Sequence, residues 1–224
     1  FGFLAENASF AEKCKESGFE FVGPDSKVIE VMGDKIKAKE LIKTLGVPTV
    51  PGYAGKIESQ NHIENIVQQI EYPVIVKASA GGGGRGMRVV NKRDELWDSI
   101  IGAQNEAKVA FGNDEVFIEK YLKKPRHIEI QIFGDGKGRV VHLYSRDCSL
   151  QRKYQKIIEE APAKNLNQEK LSEIQNICVA ACSELKYKGA GTLEFLYEDN
   201  EFYFIEMNTR IPVEHTVTEM ITGV

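Results

Sequence analysis

The chain is sparing with the residues that build specialised folds: among 224 residues it has one tryptophan, four methionines, four histidines and four cysteines. Cys14, Cys148, Cys178 and Cys182 form no CxxC pair and show no disulfide-framework spacing. Cys178 and Cys182 stand four apart on an expected helix, with no histidine at zinc spacing. All four therefore read as free thiols used as small core residues, which suits a reducing, cytoplasmic compartment. No apolar run approaches the roughly 20 residues that span a bilayer. The start, Phe1-Gly2-Phe3-Leu4-Ala5-Glu6, offers neither the basic nor the apolar region of a secretion signal. An excess of charge is missing too: 29 basic against 33 acidic residues leave −4, too little to suggest a nucleic-acid or membrane surface. A start without Met and an end at Met220-Ile221-Thr222-Gly223-Val224, inside an expected helix, suggest an internal piece of a longer soluble protein.

What is present is a folded composition, 42% apolar and 28% charged, long enough for one large domain or two small ones. Residues 1–48 read as helix, strand, helix, helix. Ala8 to Ser17 is helical and closed by Gly18, Phe19 to Val22 is a short strand, and Asp34 caps a helix whose Ile36, Leu41, Ile42 and Leu45 share a face. Residues 49–121 form a small α+β module. In it Ser59 caps a helix, and a strand (Pro73 to Lys77), a glycine loop (Ala80 to Gly86), a strand (Met87 to Val90), a helix (Asp94 to Ala110) and a strand (Val116 to Tyr121) follow. Residues 122–224 turn to antiparallel hairpins around a helix from Asn167 to Leu185. Charge is unevenly placed. Lys120 to Lys156 holds ten basic residues against three acidic, and Glu194 to Glu219 seven acidic against one arginine. Two solvated surfaces, or a polyphosphate site facing a metal site, would both account for this.

The loop Gly81-Gly82-Gly83-Gly84-Arg85-Gly86 fits neither the dinucleotide fingerprint, which needs a helix next, nor the Walker pattern, which needs Gly-Lys-Ser/Thr. With Lys77 at its entrance it suits a flap of backbone N–H groups closing over phosphates. If Asp199, Asn200 and Glu201 form a three-residue turn, Glu194 lies directly opposite Glu206, with Cβ atoms about 4.5–5.5 Å apart. Leu196, Phe202 and Phe204 would continue their face, and Leu193, Phe195, Tyr197, Tyr203, Ile205 and Met207 the other. Two buried like charges call for a cation, and hard oxygens with Asn208 beside them favour Mg²⁺ or Mn²⁺. Arg210 and Glu214, just beyond, suit an anionic substrate that must lose a proton. His215 reads as a hydrogen-bonded structural histidine rather than a ligand or base, and His127 as touching a nucleotide or facing solvent.

Taken together, Gly33-Asp34-Lys35, Lys77-Ala78-Ser79 with its glycine loop, Glu119-Lys120-Tyr121-Leu122, Pro125-Arg126-His127-Ile128-Glu129, Arg146-Asp147-Cys148-Ser149, Gln155-Lys156, Glu159-Glu160-Ala161-Pro162, and Glu206-Met207-Asn208-Thr209-Arg210 with Val213-Glu214-His215 closely resemble biotin carboxylase. The resemblance covers the whole chain but only about half of a family catalytic unit. It implies an α+β ATP-grasp fold: a glycine-loop lid over 49–121 and a larger, incomplete antiparallel-sheet subdomain over 122–224, preceded by the end of an α/β N-terminal domain. Lys35 and Lys77 would hold ATP phosphates under Gly81, Gly82, Gly83 and Gly84. Glu119, Lys120 and Leu122 would line the adenine pocket, with His127 and Gln151 near the ribose. Glu194, Glu206 and Asn208 would bind Mg²⁺ or Mn²⁺. Glu214 would take the bicarbonate proton, and Arg210 and Lys156 would hold bicarbonate and the phosphoryl group.

The activity implied is ATP-dependent carboxylation of biotin on the biotin carboxyl carrier protein, as in acetyl-CoA carboxylase and fatty acid biosynthesis. Carboxyltransferase subunits would be further partners, and the full-length protein a homodimer. Another carboxyphosphate-forming ligase, such as carbamoyl phosphate synthetase, or a non-catalytic nucleotide-binding module is the alternative. Three positions depart from the family pattern: Pro212 replaces the usual Gln, Thr216 a Pro and Tyr154 a His. Pro212 removes a side-chain amide and a backbone N–H beside the expected bicarbonate site.

Overall fold

The computed structural model describes residues 2–55, 57, 59–79, 87–153 and 155–224. The expected phosphate flap, with Gly81 to Gly84, and the Tyr154 departure lie outside the described residues. In chain order the elements are α1 (Ala8–Glu16), α2 (Ser26–Gly33), α3 (Lys35–Thr44), β1 (Gly52–Tyr53), α4 (Gln60–Ile70), β2 (Val74–Ala78), β3 (Met87–Val90), α5 (Leu96–Phe111), β4 (Val116–Lys120), β5 (Arg126–Asp135), β6 (Val140–Arg152), β7 (Gln155–Glu160), α6 (Gln168–Glu184), β8 (Lys188–Glu198), β9 (Glu201–Asn208) and α7 (His215–Thr222). Among the described residues no helix is long and apolar enough to cross a membrane.

The chain divides into two units. The larger runs through Thr49 and takes in Pro125–Arg152 and Lys156–Val224. Its five-stranded sheet has the order β7-β6-β5-β8-β9. Alternation along β5 sends Ile128, Ile130 and Ile132 to one face, where they join Leu193, Phe195, Phe204 and Met207. Leu171, Ile174, Cys178 and Cys182 of α6 and Ala38 and Ile42 of α3 cover that face. Each large side chain so buried contributes about 1.5–3 kcal/mol. Both covering helices start where short polar side chains satisfy their first amides. Asp34 Oδ1 accepts from Ile36 N and Lys37 N at 3.0 and 3.1 Å, and Asn167 Oδ1 from Glu169 N and Lys170 N, each at 3.1 Å.

The smaller unit, Val50–Lys124 with Lys153 and Gln155, is a four-stranded sheet ordered β1-β4-β2-β3. Val74, Val76 and Ile118 of the sheet meet Ile63 and Val67 of α4 and Ile100 and Ala103 of α5. Ser59 caps α4, its Oγ accepting from His62 N at 3.2 Å, and Gly112, at φ 71°, closes α5.

Two expectations are corrected. Phe19 to Val22 is not a strand: Phe19 N instead donates to Cys14 O at 2.8 Å, closing α1, and Phe19 and Val22 are exposed. With no ladder partner, alternating apolar residues do not make a strand. The β8–β9 hairpin turns on two residues, Asp199 and Asn200, both at positive φ (53° and 65°), so that Glu198 pairs with Glu201. A bulge at Ile205 then shifts the register, leaving Phe195 opposite Phe204 but Glu194 opposite Glu206. The carboxylate pairing thus arises from a tight turn plus a bulge. The two-residue turn is what puts Phe202 and Phe204 on the core face with Phe195, away from the carboxylates.

Arg126 ties the sheet to the segment leading into α6. Its Nε and Nη2 donate to Asp147 Oδ2 at 3.1 and 2.6 Å, and Nη1 and Nη2 to the carbonyls of Asn165 and Lys164 at 3.0 and 2.6 Å. Burial would raise the Asp147 pKa, but bonds from Ser149 and Arg126 outweigh it and hold the carboxyl below its usual range. A depressed folded-state pKa gives stability that is complete above the unfolded value of roughly 3.9 and fades as pH falls through the folded value. Asp147→Asn is expected to lower stability by about 1–2 kcal/mol at pH 7, given the partial exposure of the pair. Urea unfolding should show that difference closing as pH falls below the unfolded value; a gap that persists in full at the acid end would exclude this ion pair as its source.

Candidate active site

The second face of the larger sheet is also withdrawn from water, but it is polar. Glu129 and Gln131 of β5 alternate with the isoleucines and are fully buried, as are Arg146 of β6 and Thr192 of β8. Strand register sets Glu129 between two neighbours, Arg146 across the β6 ladder and Glu194 across the β8 ladder. Two buried carboxylates side by side are sustainable only among cations. Arg146 supplies one from below, its Nε and Nη2 donating to Glu129 Oε2 at 3.2 and 2.9 Å. Lys156, reaching in from β7, supplies another. Its Nζ contacts Glu129 Oε1 and lies 2.8 Å from Glu194 Oε1 and 2.5 Å from Glu214 Oε1. The third is His127, whose Nε2 sits 3.0 Å from Glu194 Oε2 and 3.3 Å from Glu129 Oε1.

Protonation follows from this arrangement. Burial opposes a charged His127, yet its bonds to Glu129 and Glu194 and their charges prevail and push its pKa up to about 9. Burial likewise opposes charge on Lys156, and the carboxylates of Glu194 and Glu129 overcome it and raise its pKa. The Glu129 carboxyl is held well below its usual range, because His127, Lys156 and Arg146 outweigh its desolvation. Near neutral pH His127 and Lys156 are protonated and Glu129 and Glu194 ionised. The buried like-charge pair is therefore Glu129 with Glu194. Glu206, expected to be buried beside Glu194, keeps 45% of its side-chain surface open. The partial burial it has, and the Glu194 charge, push its carboxyl pKa upward.

The remaining expected residues of this unit lie close by. Asn208 Nδ2 donates to Glu194 Oε1 at 2.5 Å, and Lys35 Nζ is 3.9 Å from Glu206 Oε2. A cleft of about 360 Å³ opens between the start of α3 and β9, lined by Glu6, Met32, Gly33, Lys35, Glu206 and Asn208. Gln151 Nε2 stands 3.0 Å from His127 Nδ1 and donates to Cys148 O at 2.9 Å. Glu214 is buried immediately before α7. Arg210 points elsewhere: its Nε donates to Glu6 Oε2 at 2.9 Å, while Thr209 N donates to Glu6 Oε1 at 3.1 Å. His215 is buried in the first turn of α7, and burial lowers its pKa. In the smaller unit Lys77 of β2 reaches across to β4, its Nζ 2.8 Å from Glu119 Oε2. Lys120 Nζ is 3.2 Å from Glu71 Oε2, and Leu122 is half-buried.

Sequence reasoning passed over Glu129, Arg146 and Glu6. The first had a visible signal, since His127, Glu129 and Gln131 form a period-2 polar face on a strand whose other face is isoleucine. Glu6 had none, because its partner lies 204 residues away.

Comparison with known proteins agrees with this geometry. The family model "Carbamoyl-phosphate synthase L chain, ATP binding domain" matches residues 34–224, and "Biotin carboxylase, N-terminal domain" matches residues 1–29. Biotin carboxylase of Pseudomonas aeruginosa is 55% identical over the whole chain, which covers 50% of that relative. Pyruvate carboxylase of Bacillus subtilis is 50% identical, with 20% of its length covered. Among solved structures, the biotin carboxylase domain of Hydrogenobacter thermophilus 2-oxoglutarate carboxylase, in complex with MgADP, ADP and bicarbonate, superposes with a TM-score of 0.90 at 51% identity over the whole chain and 50% of its own. A biotin carboxylase–β-γ-ATP complex from Campylobacter jejuni superposes with a TM-score of 0.92 at 45% identity, with the same coverage. The chain belongs to this family of ATP-binding domains, in its biotin carboxylase branch. It spans about half the length of the curated biotin carboxylases it matches.

The donor set fits a divalent cation of the hard kind. Glu194 and Glu206 face each other across one hairpin and Asn208 adds an amide oxygen, an all-oxygen set of the type such cations take. Removing the Lys156 ammonium would take from Glu214 the cation it contacts and leave Glu129 and Glu194 to share Arg146 and His127. Lys156→Met is expected to cost about 3–5 kcal/mol. Millimolar Mg²⁺ should restore part of it in denaturant titrations; unchanged stability without metal would show that Lys156 does not hold the carboxylates together.

Proposed function

We propose that this chain is the nucleotide- and bicarbonate-binding part of an ATP-dependent biotin carboxylase, a ligase. The observation that carries the reading is the single ammonium of Lys156 placed against Glu214 and Glu194, beside a hard-oxygen pair. In this reading residues 1–48 end an N-terminal α/β domain, 49–121 form the ATP-grasp lid and 122–224 the catalytic subdomain. Lys35 and Lys77 bind ATP phosphates beneath Gly81 to Gly84, Glu119, Lys120 and Leu122 receive adenine, and His127 and Gln151 lie by the ribose. Glu194, Glu206 and Asn208 hold Mg²⁺ or Mn²⁺, which when bound neutralises phosphate charge.

Glu214 takes the proton of bicarbonate while Lys156 and Arg210 hold its oxygens. A bicarbonate oxygen then attacks the γ-phosphorus of ATP, releasing ADP and forming carboxyphosphate, a step governed by positioning and charge. Carboxyphosphate breaks to CO₂ and phosphate, the phosphate removes the proton from biotin N1′, and the nitrogen captures CO₂. Arg210 meets Glu6 through Nε, so its Nη groups are the donors that would meet bicarbonate. Biotin carboxyl carrier protein and carboxyltransferase subunits are the partners of this reading, with a homodimeric full-length protein in the cytoplasm.

ATP hydrolysis by the natural-length protein with Mg²⁺ tests it. Turnover is expected to require bicarbonate and to rise with free biotin, and Glu214→Ala should abolish it while ATP affinity persists. Bicarbonate-dependent turnover indifferent to biotin would shift the reading to another carboxyphosphate-forming ligase, as the family model's name allows. ATP binding without turnover would make this a nucleotide-binding module. Pro212, buried beside Glu214, lacks the amide of the usual Gln. Pro212→Gln is expected to lower the bicarbonate KM about two- to tenfold, the worth of one recovered hydrogen bond; an unchanged KM would remove Pro212 from the bicarbonate site.

A further inference from the structure

Arg146 is 1% exposed, and its guanidinium spends its donors on four side chains from three elements besides its own strand. In addition to the paired bonds to Glu129 Oε2, Nη1 donates to Gln131 Oε1 at 2.8 Å and to Thr218 Oγ1 at 2.7 Å, and Nη2 to Thr192 Oγ1 at 3.1 Å. Thr192 Oγ1 in turn donates to Gln131 Oε1 at 3.2 Å, and Gln131 Nε2 to the carbonyls of Gly191 and Ile132 at 2.9 and 3.1 Å. Every side chain in this network is buried. Two of its ends reach Lys156. One runs through Glu129, whose other oxygen contacts Nζ. The other runs through Thr218 to α7, the helix that Glu214 precedes.

Burying a guanidinium costs several kcal/mol, and an apolar residue of similar volume stabilises a fold as well or better. A structural need alone therefore does not explain Arg146. A planar fork does what an apolar side chain cannot, holding a carboxylate in one orientation and a helix at one height. Resting on the functional reading above, we infer that Arg146 is a positioning residue: it orients Glu129 and anchors α7 through Thr218, and so sets the Lys156 ammonium and the Glu214 carboxylate in register for bicarbonate. It touches neither nucleotide nor bicarbonate itself. Misplacing a reacting group by about 1 Å costs on the order of 100-fold in rate.

The test is steady-state kinetics on the natural-length enzyme carrying Arg146→Lys or Thr218→Val, with MgADP binding by calorimetry and circular dichroism to verify folding. Arg146→Lys keeps the charge but loses the fork. It is expected to lower bicarbonate-dependent kcat/KM about 100-fold, while ATP KM and MgADP affinity stay within about twofold. Thr218→Val is nearly isosteric, keeps Arg146 on Glu129 and releases only α7. It should raise bicarbonate KM about two- to tenfold with the same nucleotide affinity. If Arg146→Lys fails to fold, Thr218→Val decides. Wild-type bicarbonate kinetics in the folded variants, or an equal loss for bicarbonate and nucleotide, would overturn the positioning role and leave the functional reading standing. An unmutated enzyme without bicarbonate-dependent turnover would overturn that reading and this inference with it.

Discussion

A carboxylate wholly removed from water must be matched on every side, and the larger unit is organised around meeting that demand at Glu129. Its two oxygens face opposite partners, Arg146 on one and Lys156 with His127 on the other. Because Glu129 occupies the central strand, each of those partners comes from elsewhere in the unit: β6, β7 and its own strand two residues earlier. Glu194 and Glu214 then gather on the same ammonium. A sheet face that would ordinarily be packed with aliphatic side chains is here given to ions. The opposite face, with Ile128, Ile130, Ile132 and Phe195 fully buried, supplies the cohesion that lets the polar face be costly.

The β8–β9 hairpin shows how closely the pairing of two carboxylates depends on backbone detail. A two-residue turn alone would place Glu194 opposite Ile205, with its side chains out of step. The extra residue at the bulge returns Glu206 to the register of Glu194, while Phe204 stays opposite Phe195 in the core. One inserted residue thus reconciles two requirements that strict alternation sets against each other: an aromatic pair inward and a carboxylate pair outward.

Much of this was legible in the sequence, and the limits are physical. Helix starts at Asp34, Ser59 and Asn167 could be read because capping is local chemistry, settled within three residues. The strand at Met87–Val90 and the β8–β9 pairing could be read from alternation and turn residues. The false strand at Phe19 to Val22 shows the reverse, since pattern without a partner does not pair. The face of Phe202 and Phe204 was out of reach because alternation does not tell a two-residue turn with a later bulge from a three-residue turn, and both place Glu194 opposite Glu206. Candidate site residues stood out when several functional groups shared a short segment, as with Glu206, Asn208, Arg210 and Glu214. They stayed hidden when the partner was remote: the Glu6–Arg210 contact and the Arg146–Thr218 bond join residues 204 and 72 positions apart.

In the function proposed above the ligands are themselves anions, and charge balance decides how the site would receive them. Glu129, Glu194, Glu206 and Glu214 bring four negative charges, against Arg146, Lys156 and a His127 that stays protonated up to about pH 9. Arg146 is spent on Glu129, and Arg210 is held by Glu6, so neither offers free positive charge. The cluster alone is therefore poor ground for bicarbonate or phosphate. On the proposed reading Glu194 and Glu206 would help to hold a divalent cation, whose two positive charges would reverse the local sign and leave Lys156 less tightly claimed by Glu194. The Lys156 ammonium, shared among three carboxylates, would then be freed further for an incoming oxyanion as each partner is satisfied by a cation or takes up a proton.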